Sequence, residues 1–143
     1  MLKEQFFTLF SELIINIKRA VIVSHVNPDG DAIGSSLALQ FFLKKLGVAA
    51  NVIIPNDFPS FLQWLPGTED ILIFDKNSDK AISIMNEADL FCFLDFNSIS
   101  RTGLMHNDLC HLKNTPRILI DHHRDTDYSQ YAACLSEVNT SST

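Results

Sequence analysis

Three short stretches of this chain carry side chains able to hold a divalent cation or move a proton. In His25-Val26-Asn27-Pro28-Asp29-Gly30-Asp31, one imidazole and two carboxylates share a single turn-forming loop. In the second stretch, Asp95 closes the apolar run Leu90–Leu94, and Arg101 and Gly103 follow shortly after. In the third, Asp121-His122-His123 comes directly after Arg-Ile-Leu-Ile. Capping one helix needs one Asp, whereas His25, Asp29 and Asp31 crowd together, and like charges that close repel unless a cation lies between them. A carboxylate at the end of an apolar strand is costly without a partner. From the residues alone, Asp95 also fits an Asx turn and Arg101 a solvated loop. Mixed nitrogen and oxygen ligands suit manganese, with magnesium, cobalt or zinc as alternatives. Two such ions ~3.5–4 Å apart can activate a water and neutralise phosphoryl oxygens.

Alternating apolar runs and helical patterns must position these groups. Val21–Ser24 reads as a buried strand ending at His25, and residues 32–46 as a helix with Asp31 as its N-cap, Ile33, Leu37 and Phe41 on its apolar face and Gly47 just past its end. Ahead of them, residues 2–18 form an amphipathic helix through Leu2, Phe6, Leu9, Phe10, Leu13 and Ile17. Further strands are expected at Val48–Ile54, Ile71–Phe74, Leu90–Asp95, Arg117–Ile120 and Tyr128–Cys134, with helices over Ser78–Glu87 and residues 104–113. Between them, Phe58–Gly67 reads as a loop with one helical turn, and Trp64 as a lid on the core rather than a stacking platform. The alternation implies an α/β domain with a mostly parallel sheet flanked by helices. Ligands of such sheets sit outside the carboxyl ends of the strands, which is where all three stretches fall.

The bulk properties set outer bounds. A length of 143 residues suits one domain, and 46% hydrophobic with 20% charged residues is the composition of a folded chain. A net charge of −6 argues against long DNA or RNA as a partner but leaves room for a short oligonucleotide or a nucleotide held through metal ions. Cys92, Cys110 and Cys134 are odd in number, lack CxxC spacing and read as reduced thiols. No apolar run is long enough to span a membrane and the N-terminus does not read as a signal peptide, so the expected location is the cytoplasm. Neither a GxGxxG nor a Walker-type loop supports a metal-free nucleotide-binding domain. His106 and His111, five apart, do not share a helix face and read as surface residues, and Asp125 and Asp127 as a solvated turn.

The loop His25–Asp31 with its small-residue helix start, the segment Asp95–Gly103 (DFNSISRTG) and the triplet Asp121-His122-His123 together resemble the first three motifs of the DHH phosphoesterase family, in order. The form NPDGDAIGS, with the second motif, is most similar to the nanoRNase branch, which degrades short oligoribonucleotides and removes the 3′-phosphate of adenosine 3′,5′-bisphosphate (pAp). The resemblance implies two metals, one held by His25, Asp29 and Asp95 and the other by Asp31, Asp95 and His122, with Asp95 shared. It implies in-line attack of an activated water on phosphorus, with His123 touching the phosphate or assisting the leaving group. Asp121 would orient the neighbouring histidines and Arg101 would bind phosphate. Asn27 would hold the loop or touch phosphate without being catalytic.

The family carries a fourth motif downstream, with another Asp ligand, and usually a second substrate-holding domain. The chain stops at Ser141-Ser142-Thr143. The expectation is therefore an N-terminal catalytic domain over residues 1–143, incomplete at its C-terminus. An exposed sheet edge would then favour a homodimer. The alternatives are an inactive remnant that binds metal or a partner without turnover, and a cyclic-dinucleotide phosphodiesterase or pyrophosphatase of the same family.

Overall fold

The computed structural model describes residues 3–112 and 114–143. Its regular elements, in chain order, are α1 (Lys3–Asn16), β1 (Arg19–Val23), α2 (Gly30–Lys45), β2 (Ala49–Ile54), β3 (Leu72–Ile73), α3 (Ser78–Asn86), β4 (Leu90–Leu94), α4 (His106–His111), β5 (Arg117–Asp121) and β6 (Ala133–Ser136). Short 3-10 turns lie between them at Ser60–Leu62, Thr68–Asp70, Ile99–Met105 and Tyr128–Gln130. The strands form one sheet in the order β3-β2-β1-β4-β5-β6, and every neighbouring pair is parallel. The chain builds outward from β1 to β2 and β3, then returns to place β4 on the other side of β1. Strand order thus reverses between β1 and β4, which opens a crevice above their carboxyl ends.

Both faces of the sheet are covered, which is why its central strands are apolar throughout. Side chains alternate along β1, so that Ala20 and Ile22 pack with Phe6, Phe10, Ile33 and Leu37 of α1 and α2. Val21 and Val23 turn the other way, to the cluster holding Ala81 and Met85 of α3, Ile99, Met105 and Leu109. In β4, Phe91 and Phe93 join this second cluster, Phe93 edge-on to Phe96 with ring centroids 5.6 Å apart. Each such fully buried large side chain is worth about 1.5–3 kcal/mol of transfer free energy. On the first face, Gln40 of α2 donates Nε2–H to the Ala50 carbonyl at 3.0 Å, fixing that helix against β2.

Five local expectations change. Asp29, not Asp31, caps α2, in extended backbone, its Oδ1 accepting from the N–H groups of Asp31 and Ala32. Two acids were available, and the earlier one sits where its oxygen reaches the orphan amides of the first turn. Trp64 is 76% exposed rather than a lid, because Leu62 and Leu65 take the inward positions of its turn. Phe41 is likewise 42% exposed, although Ile33 and Leu37 beside it on α2 are buried. The helix expected over 104–113 is a 3-10 turn followed by the short α4, because Gly103, at φ 58 and ψ −127, interrupts it. The last strand is Ala133–Ser136, and the residues ahead of it form a turn capped by Asp127, whose Oδ1 accepts from Ser129 N–H. Leu2 of the expected first helix and Lys113 lie outside the described residues.

Candidate metal centre

The carboxyl ends of β1, β4 and β5 converge, and each brings one of the three polar stretches. Beyond β1, Ser24 donates its hydroxyl to Leu94 O, stitching the ends of β1 and β4 together at 3.1 Å. His25 follows, 6% exposed. Its Nδ1–H donates to Val26 O at 2.8 Å, which turns Nε2 towards Asp95 Oδ2, 3.6 Å away. The loop then runs through Asn27, in left-handed backbone at φ 52, to Asp29 at the cap of α2.

Asp95 is 2% exposed and occupies left-handed backbone at φ 65. Few residue types tolerate that conformation, though Asp is among them, and strain of this kind gathers at functional sites. The turn aims its carboxylate between rings from two other segments. Oδ2 faces His25, while Oδ1 lies 3.2 Å from His122 Nε2 and 3.8 Å from His123 Nδ1. From β5, Asp121 is buried and accepts His123 Nδ1–H at 2.7 Å, with the Thr126 hydroxyl at 3.4 Å from its other oxygen. His122 is oriented differently, its Nδ1–H donating to Thr140 O at 3.2 Å. Asp121 therefore orients His123 alone, not both histidines.

Charges in this cluster are displaced as its geometry dictates. The Asp95 carboxylate beside His25 raises the pKa of that imidazole, against burial and the Arg101 charge, which lower it. Burial pushes Asp31 upward, although Thr143 N–H donates to both of its carboxylate oxygens. Burial also works against the Asp95 anion, but His25 and the Thr143 hydroxyl, 3.0 Å from Oδ1, outweigh it and hold its pKa below the ordinary value.

Two groups of ligand-type atoms result, each with its atoms within 4.8 Å of one another: His25, Asp29 and Asp95, and Asp95, His122 and His123. Asp31 stands beside the second group without belonging to it, its Oδ2 3.5 Å from His122 Nε2. Arg101 lies in the 3-10 turn after β4 and accepts Val26 N–H on its carbonyl, so its backbone braces the first loop. The residues fit divalent cations by an observation independent of their identity. His25 and His122 each spend Nδ1–H on a backbone carbonyl, which points Nε2, the atom that takes a cation in place of a proton, at a shared carboxylate. Sequence reasoning missed Thr140 and Thr143, which approach from far along the chain and carry no ligand chemistry of their own. It also missed Asn56, whose amide pairs with Asn27 at 2.7 Å.

A family model described as the DHH family, N-terminal domain, matches residues 19–143. The bifunctional oligoribonuclease and PAP phosphatase NrnA of Thermus thermophilus is 46% identical over 63 residues, which are 41% of this chain and 19% of that protein. The crystal structure of an exopolyphosphatase-related protein from Bacteroides fragilis superposes with a TM-score of 0.93 at 39% identity, covering 99% of this chain and 42% of that one. An α-glucosyltransferase solved with UDP and DNA shares the fold alone, at 14% identity and a TM-score of 0.56 over 82% of this chain and 37% of its own. The chain thus spans less than half the length of the relatives it matches.

Proposed function

This chain belongs to the DHH family, and on that premise we propose that its centre hydrolyses phosphate esters of short oligoribonucleotides or nucleotides such as pApA and pAp. The observation that carries this reading is Asp95, one buried carboxylate whose two oxygens face imidazoles from two different segments. That arrangement is what a ligand shared between two cations needs. His25, Asp29 and Asp95 would hold one divalent ion and Asp31, Asp95 and His122 the other, manganese first among the candidates. Bound there, the pair would supply Lewis acidity, activating water and offsetting charge on the phosphoryl oxygens.

The chain's own residues do the rest. The carbonyls of Val26 and Thr140 lock the tautomers of His25 and His122. Asp121 accepts from His123 Nδ1, which leaves His123 Nε2 to meet a phosphate oxygen or the leaving oxygen. Arg101 would add a guanidinium, whose forked donors match phosphate oxygens. No helix among the described residues is long and apolar enough to cross a membrane. On this reading the protein works on short RNA or free nucleotides in the cytoplasm, not on long DNA.

The test is to incubate the chain with manganese and pApA and to follow AMP by chromatography, with inorganic polyphosphate as a comparison substrate and Asp95→Ala beside it. AMP release that disappears in the variant supports the reading. Polyphosphate cleavage without AMP release refutes the nucleotide substrate. Absence of both manganese binding and turnover refutes the centre.

A further inference from the structure

A second concavity opens on the β2 side of the metal loop. Val26, Asn27, Pro55, Asn56, Asp75, Gly103 and Leu104 enclose a cleft of about 350 Å³. Val26 and Asn27 lie in sequence between the ligand-type residues His25 and Asp29, so one wall of the cleft is the back of the metal loop. That wall is rigid. Val26 N–H donates to Arg101 O at 2.8 Å, and a Cβ on Gly103 would come within 2.7 Å of Val26 Cγ1. Asn27 N–H donates to Asn56 Oδ1, and Asn56 Nδ2 donates back to Asn27 Oδ1, both at 2.7 Å.

The lining has a definite chemistry. Val26, Pro55 and Leu104 are apolar, and Leu104, 72% exposed, leaves its side chain open to a ligand. Two carboxamides and one carboxylate, Asp75, supply hydrogen bonding, and no Lys or Arg lines the cleft. A second phosphate would find no cation there and would face the Asp75 carboxylate. A neutral, flat, hydrogen-bonding group fits: apolar contact for its face, an amide for its edge and a carboxylate to accept from a hydroxyl. We propose that this cleft is the nucleoside subsite, receiving the base and ribose of a nucleotide whose phosphate reaches the metal centre. The proposal rests on the phosphoesterase reading and adds where the enzyme distinguishes a nucleotide from other phosphate compounds.

The test uses the isotopically labelled chain loaded with magnesium, titrated with AMP and, separately, with inorganic phosphate, and followed by NMR. AMP is expected to shift the side-chain amides of Asn27 and Asn56 and the methyls of Leu104, and phosphate only the His25 and His122 ring signals. Leu104→Ala, at an exposed position and without adding charge, should weaken AMP roughly ten-fold, the size of one lost apolar contact, and leave phosphate affinity unchanged. If AMP moves only what phosphate moves, or if the variant weakens both equally, the subsite is refuted and the phosphoesterase reading stands. If neither ligand moves the His25 and His122 signals, both fall.

Discussion

Asp95→Asn separates the carboxylate's charge from its shape. Asn tolerates the left-handed backbone at φ 65 nearly as well as Asp, so the turn after β4 survives. The amide keeps an oxygen for the Thr143 hydroxyl and loses the anion that faces His25 and His122. In the absence of metal the variant should unfold within about 1 kcal/mol of the parent, since it loses favourable charge contacts but also the cost of burying an anion. With metal the two should diverge. A ligand at 100 times its Kd stabilises the native state by about 2.7 kcal/mol. For a chain of 143 residues that corresponds to a rise in Tm of roughly 8–10 °C. The variant, deprived of the carboxylate both groups share, should lose at least about 100-fold in affinity and show almost none of this rise. Thermal unfolding by circular dichroism over a manganese series reads the difference directly. A variant that keeps the parent's manganese-dependent shift would refute the assignment of Asp95 as a shared ligand.

Three further outcomes follow from features away from Asp95. Gly103→Ala places a methyl against Val26 Cγ1 in backbone at φ 58, ψ −127, and should cost about 1–3 kcal/mol in urea unfolding; a neutral result would mean the 3-10 turn is free to move. Asp89 accepts the N–H groups of Lys18 and Arg19 at 2.9 Å, and these bonds hold its pKa below the ordinary 3.8. Its contribution, about 0.5–1 kcal/mol at so exposed a site, should be complete above pH 3.8 and fade as pH falls below it, so the stability gap between the parent and Asp89→Asn should close in acid. A gap that does not shrink as the pH is lowered would contradict it. Cys92 is wholly buried in β4, with a thiol pushed far above its ordinary pKa, so a thiol reagent should label half-buried Cys110 in the folded protein and reach Cys92 only on unfolding, as peptide mapping would show.

The strands were legible because a sheet covered on both faces demands continuous apolar runs, and Leu90–Leu94 can be little else. The ligand-type residues were legible for the complementary reason: His25, Asp95 and the Asp121 triplet interrupt apolar runs where nothing about packing asks for polarity. What stayed hidden depends on direction rather than composition. The run Phe61–Leu65 contains four apolar residues able to face the core, and only tertiary packing decides that Leu62 and Leu65 do while Phe61 and Trp64 do not. Thr143 touches Asp31 across 112 positions with a backbone amide, a group every residue but proline carries, so no residue type announces it. Asp29 and Asp31 were both competent caps, and the choice turned on which one the loop left in extended backbone.

The order β3-β2-β1-β4-β5-β6 also has a kinetic meaning. The bond from Ser24 to Leu94 closes a separation of 70 residues, so the His25–Asp95 pair cannot exist until β1 has found β4. Pairings that distant are slow to form and come late in folding. A partly folded chain would hold scattered acids and imidazoles with no common focus, and a cation would gain little from meeting them. Manganese should therefore leave the refolding arm of a chevron nearly where it was and retard the unfolding arm. The protein's lifetime, more than its speed of assembly, would follow the supply of metal.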